Sequence, residues 1–134
     1  EFCTLTGNTE GIFVLNSATP SLTNNKIFTN TNGIRSSNSS SPVVRFNSIT
    51  GNFSGILVEN ASTPNLGDPL QNGTNAIQTT GPVGLNHTGT GTLWARGNFW
   101  FGNGTYASGL TVTGPVTGPN SDYIITTAGV QINF

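Results

Sequence analysis

The chain has 134 residues, with 4 Lys or Arg against 5 Asp or Glu and a net charge of -1. Charged residues make up 7%, where soluble domains carry about 25%, and Gly, Asn, Thr and Ser form about half of the chain. So few cations exclude a nucleic-acid-binding role, no apolar run nears the roughly 20 residues that span a bilayer as a helix, and one Cys with one His excludes an internal disulfide and a Cys-rich or multi-His zinc site.

From the N-terminus the chain repeats with a period of 22. Gly11-Ile12, Gly33-Ile34 and Gly55-Ile56 share that step, as do Pro20, Pro42 and Pro64, and Leu22, Val44 and Leu66. Three asparagine columns keep it too: Asn8, Asn30 and Asn52; Asn16, Asn38 and Asn60; Asn25 and Asn47, which Asn98 joins later. Such a period is too short for helical repeats, and the chain lacks helix formers. Short apolar alternations such as Ile12-Phe13-Val14 and Ile56-Leu57-Val58 read as strands, and the Asn, Gly, Ser and Pro clusters between them read as turns. Three strands and three turns per repeat make one rung of an all-β solenoid, a single-stranded right-handed parallel β-helix. Rungs stack at the usual strand spacing of roughly 4.8 Å, and no rung buries its apolar face without its neighbours.

Each column then acquires an expected direction. Ile12, Ile34, Ile56 and Ile77 point inward on one side; Leu5, Ile27, Ile49 and Leu70 on a second; Leu22, Val44 and Leu66 on a third. In this alignment the fourth copy is one residue short, and Asp68 and Cys3 fall in the column of Asn25 and Asn47. The asparagines are expected at corners as ladders, bonded to one another and to neighbouring turns.

Regular rungs are expected over 1–80. A Gly-rich loop or irregular rung follows over 81–92, and terminal rungs with an aromatic cap over 93–134, all in one domain. The cap candidates are Phe99, Trp100, Phe101, Tyr106, Tyr123 and Phe134. The first rung has no capping segment before it, and no basic stretch followed by an apolar one precedes it. A leader is therefore expected to have been removed, and the open rung is expected to continue in a longer chain or to pair with another copy.

The series Leu22…Asn25-Lys26-Ile27…Asn30…Gly33-Ile34 resembles the parallel β-helix repeat of the pectate-lyase-like superfamily. Ala95-Arg96-Gly97-Asn98-Phe99-Trp100 repeats Val44-Arg45-Phe46-Asn47-Ser48-Ile49. Within that superfamily the chain is most similar to the non-catalytic, asparagine-ladder type of NosD-like and bacterial surface proteins. The resemblance implies a secreted or surface protein.

Catalysis finds little purchase in the residue pattern. Glu10 and Glu59 fall in different columns, so no facing carboxylate pair of the glycosidase kind is implied. The superfamily's lyases typically use clustered acids for calcium with a catalytic Arg or Lys, and no such cluster is present. His87 reads as an exposed loop residue, Cys3 as a small buried one, and Arg45 and Arg96 as outward strand residues. Arg35 and Glu59 lie on neighbouring rungs and can pair. No catalytic residue, metal site or cofactor is expected.

The leading expectation is a non-enzymatic rod or filament module, joined end to end by strand pairing of copies. Polysaccharide is the second expected partner, with Trp94, Phe99, Phe101 and Tyr106 as a stacking platform in a carbohydrate-binding module. A fragment of a polysaccharide lyase or hydrolase is a further alternative, and an ice-binding protein with Thr-x-Thr pairs a lesser one. Asn-x-Ser/Thr acceptor patterns occur at Asn38, Asn52, Asn60, Asn72, Asn86 and Asn103. They bear on function only in a glycosylating source.

Overall fold

A computed structural model describes residues 2–88, 90, 93–102, 111–112, 123–126 and 132–133. Every regular element among them is a strand. In chain order these are β1 (Thr4–Thr6), β2 (Glu10–Val14), β3 (Ser21–Thr23), β4 (Lys26–Phe28), β5 (Asn32–Ser36), β6 (Val43–Arg45) and β7 (Ser48–Val58). They continue with β8 (Ala76–His87), β9 (Leu93–Trp94), β10 (Phe99–Gly102), β11 (Thr111–Val112), β12 (Tyr123–Thr126) and β13 (Ile132–Asn133).

Pairing is parallel from rung to rung: β1 with β4, β4 with β7, β7 with β8 and β8 with β10 on one face. On the second face β2 pairs β5, β5 the second half of β7, and β8 pairs β12. The third face carries β3 with β6 and, through Asn65, β9 with β13. Among the described strands only β11, beside β12, runs antiparallel. The described residues therefore form a parallel β-helix. The ladder positions Cys3, Asn25, Asn47, Asn75 and Asn98 delimit four described turns, with β10, β12 and β13 continuing into a fifth.

The core is a set of axial columns. Leu5, Ile27, Ile49, Ile77 and Trp100 align in one, Ile12, Ile34, Ile56 and Leu85 in another. Ile27, Ile49, Ile56, Ile77 and Leu85 are fully buried. The glycine before each member of the second column is needed for close approach. A Cβ at Gly33 would lie 2.6 Å from the Gly55 carbonyl oxygen and 2.6 Å from Ile49 Cγ2, and one at Gly55 would lie 2.3 Å from the Gly84 oxygen.

The third rung departs from expectation. Asn47 stacks on Asn75, a step of 28, so the rung is longer by six residues rather than shorter by one. Ile77 therefore belongs below Ile49, and Gly84-Leu85 fills the Gly-aliphatic slot after Gly55-Ile56. The extra residues loop out at the corner after Leu66. Leu70, expected in the core, is 96% exposed there. Asp68 is not a ladder residue: its Oδ1 accepts the backbone N–H groups of Leu70 and Gln71, both at 2.9 Å, and so caps the loop. The expected loop at 81–92 is also revised, because β8 runs unbroken to His87. His87 pairs with Val58 and is fully buried rather than exposed.

Candidate functional site

Interior asparagines set the geometry of two corners. Asn47 Oδ1 accepts the backbone N–H of Asn25 at 2.9 Å and its Nδ2 at 3.0 Å. Asn47 Nδ2 in turn donates to the carbonyls of Leu22 at 2.8 Å and Arg45 at 3.0 Å, and to Asn75 Oδ1 at 3.0 Å. The same unit repeats through Asn75 to Asn98, whose Nδ2 reaches Leu66 O at 2.7 Å. A second ladder joins Asn8, Asn30 and Asn52. It stops where Thr79 takes the next position and bonds to Gly81 O instead.

Each interior asparagine follows a residue in the left-handed region. For the first ladder these are Asn24 (φ 57), Phe46 (φ 58), Thr74 (φ 53) and Gly97 (φ 65). For the second they are Gly7 (φ 74), Thr29 (φ 58) and Gly51 (φ 67). That reversal turns the amide inward, where buried polar groups must be paired. Asn16, Asn38 and Asn60 also stack, at 3.3 Å between side chains, but in solvent.

Cys3 sits at the head of the first ladder, donating its backbone N–H to Asn25 Oδ1 at 3.2 Å. It is exposed rather than buried, because a rung neighbours it on one side only among the described residues.

Five of the described charged residues form two clusters. Arg35 Nε meets Glu59 Oε2 at 2.9 Å, the expected pair, and Arg35 Nη1 also meets Glu10 Oε1 at 3.4 Å. One guanidinium thus joins two carboxylates that the columns had separated, and it lies 4.8 Å over the Phe13 ring. The Glu59 hydrogen bond, aided by the charges of Glu59 and Glu10, raises the Arg35 pKa. In the second cluster Arg45 contacts Asp68 Oδ2 at 2.9 Å and also Gln71. Hydrogen bonds from Asn65 first, then from the Leu70 and Gln71 backbone, with Arg45 nearby, lower the Asp68 pKa to about 2.

The aromatic platform is divided. Ala95 and Trp100 point inward, while Trp94 is 37% and Phe99 53% exposed. Yet Trp94 lies on β9 in the third face and Phe99 on β10 in the first, with the Arg96-Gly97-Asn98 corner between them. Phe101 follows on β10 in register with Gln78, and Tyr106 and Phe134 lie outside the described residues. The acceptor patterns divide as well: Asn52 is fully buried in its ladder, whereas Asn38, Asn60 and Asn72 are exposed.

A concave site that the columns did not single out lies outside the second ladder, between the first and second faces. It is a cleft of 460 Å³ lined by residues that include Thr9, Thr29, Thr31, Phe53 and Thr80. A smaller apolar hollow of 270 Å³, with Leu57 and Val83, shares Thr31 and Phe53 with it. The sequence signal was present as Gly7-Asn8-Thr9, Thr29-Asn30-Thr31 and Gly51-Asn52-Phe53. These triplets place ladder asparagines inside and their neighbours outside.

Residues 1–100 match the family model described as a right handed beta helix region. No curated protein and no solved structure matches the chain.

Proposed function

Because the chain belongs to the right-handed β-helix family, we propose that it is a non-enzymatic, rigid solenoid module of a secreted or surface protein, of the NosD-like, asparagine-ladder kind. One observation supports this reading: the interior of four turns is continuous, with apolar columns flanked by one amide ladder that bonds each rung to the next and by a second that spans the first three. Bending such a stack breaks core packing and interior hydrogen bonds together, which suits a load-bearing rod. The Arg35 and Arg45 clusters lie on the outer surface, where Glu10, Glu59 and Asp68 brace strands and a loop.

Copies of the rod are proposed to associate end to end through parallel strand pairing that continues the rung spacing. Negative-stain electron microscopy of the purified natural protein, beside light scattering over a concentration series, tests this. Filaments without lateral bundling are expected, and uniform monomers at high concentration contradict the end-to-end step. Turnover of polyuronates by the chain alone would contradict the non-enzymatic reading.

A further inference from the structure

We propose that the cleft outside the second asparagine ladder binds a neutral, extended oligosaccharide. This goes beyond the structural role and does not depend on it. No lining residue of the cleft or of the adjoining hollow is ionisable, so neither discriminates for a charged ligand. The hydroxyls of Thr9 on one rung and of Thr29 and Thr31 on the next line the cleft and make no hydrogen bond within the described protein. The amides beneath them are engaged: Asn30 Nδ2 donates to Leu5 O and Phe28 O, both at 3.1 Å, and Asn8 Nδ2 to Thr6 O at 3.0 Å. The cleft therefore offers hydroxyls, which donate and accept alike.

Phe53 supplies the apolar half. It is 60% exposed and stands where cleft and hollow meet. Its ring lies against the backbone of Gly81, where an added Cβ would come within 3.0 Å of Phe53 Cδ2. The ring is thus laid down on β8 before any ligand arrives. A sugar ring matches this arrangement: its C–H face stacks on the negative face of an aromatic ring, and its hydroxyls reach the threonines. Thr9, Thr31 and Phe53 follow one another at the 22-residue step along the stack, and this line of two hydroxyls and one ring favours an extended chain over a single sugar.

An extended peptide fits less well. Strand addition needs unpaired backbone groups, but the cleft backbone is already bonded between rungs, Phe53 N to Asn30 O at 3.0 Å and Thr31 N to Asn8 O at 3.0 Å.

Affinity electrophoresis through gels containing xylan, mixed-linkage β-glucan or galactomannan, with polygalacturonate as the acidic counterpart, tests the proposal. Retardation by at least one neutral polysaccharide is expected. It should weaken at least tenfold in Phe53→Ala and in Thr31→Val, both checked for unchanged circular dichroism, and persist in Trp94→Ala. Both substitutions are on the outer surface, and Thr31→Val exchanges the hydroxyl for a methyl group of similar size, so it still reports if Phe53→Ala fails to fold. Absence of retardation in all three neutral gels, retardation by polygalacturonate alone, or retardation lost in Trp94→Ala but kept in Phe53→Ala and Thr31→Val overturns the proposal.

Discussion

Asn47 and Asn38 belong to columns of the same residue type and the same 22-residue step, yet they behave oppositely. Asn47 is 2% exposed and holds Asn25, Leu22, Arg45 and Asn75 together across three rungs. Asn38 lies in solvent and touches its neighbours at 3.3 Å. The difference is where the left-handed residue falls. At Asn47 it is the preceding residue, Phe46 (φ 58), so the amide swings inward; at the outer corner it is Asn38 itself (φ 53) followed by Ser39 (φ 60). Periodicity thus identifies a column, and the position of the backbone reversal decides which way it points.

The largest expected effect comes from removing an inward amide. Asn47→Ala leaves several buried groups unpaired at about 1–3 kcal/mol each. The loss should exceed roughly 4 kcal/mol in a chemical denaturation curve, and a smaller loss would mean that water or rearrangement replaces the ladder. Ile49→Ala, in the apolar column beside it, should cost about 3 kcal/mol, within the 2–5 kcal/mol usual for buried aliphatics. The same titration compares the two directly.

Phe46→Gly sharpens the conformational half of the comparison. A left-handed non-glycine residue costs about 1–2 kcal/mol, and Phe46 is 46% exposed. The substitution should raise the melting temperature despite the lost ring contacts, and a decrease would place the corner's stability in the side chain. Asn38→Gly, at the outer corner, should change stability by no more than about 0.5 kcal/mol, as surface substitutions do.

The smallest effect is at the inserted loop. The Asp68 pKa is lowered to about 2, from an ordinary carboxylate value of about 3.9. Its contribution to stability is therefore present above about pH 4 and fades as the pH falls toward 2. Asp68→Asn should melt slightly below the parent at pH 7, and the difference should vanish below pH 2. A gap that persists in acid would mean the loop is held without the charge.

The first two and a half rungs were legible because column, turn and core signals agreed there. Asn25, Asn47, Asn8, Asn30 and Asn52 fall where the repeat places them, and Ala95, Asn98 and Trp100 where the later copy does. Legibility failed at the third rung. Leu70, Gly73 and Ala76-Ile77 mimic the repeat's residue types at nearly its spacing, while the six-residue insertion is accommodated outside the stack and leaves no break in composition. Gly84-Leu85 carried the correct signal, hidden by Gly81-Pro82, which reads as a turn. His87 and Trp94 show the same limit: alternation gives a side, but only rung-to-rung register says which sheet the residue joins. The cleft was missed because Phe53 differs in type from Thr9 and Thr31 although the three share a column.

Amide hydrogen exchange followed by nuclear magnetic resonance tests the interior-ladder principle most directly. The backbone N–H groups of Asn25, Asn30 and Asn47 donate to ladder oxygens, whereas those of Ser17 and Ser39 donate to carbonyls at the outer corner. If interior amides hold the solenoid, the first three exchange only through global unfolding and the outer two through local opening, orders of magnitude faster. Exchange of Asn47 as fast as that of Ser39 would contradict it.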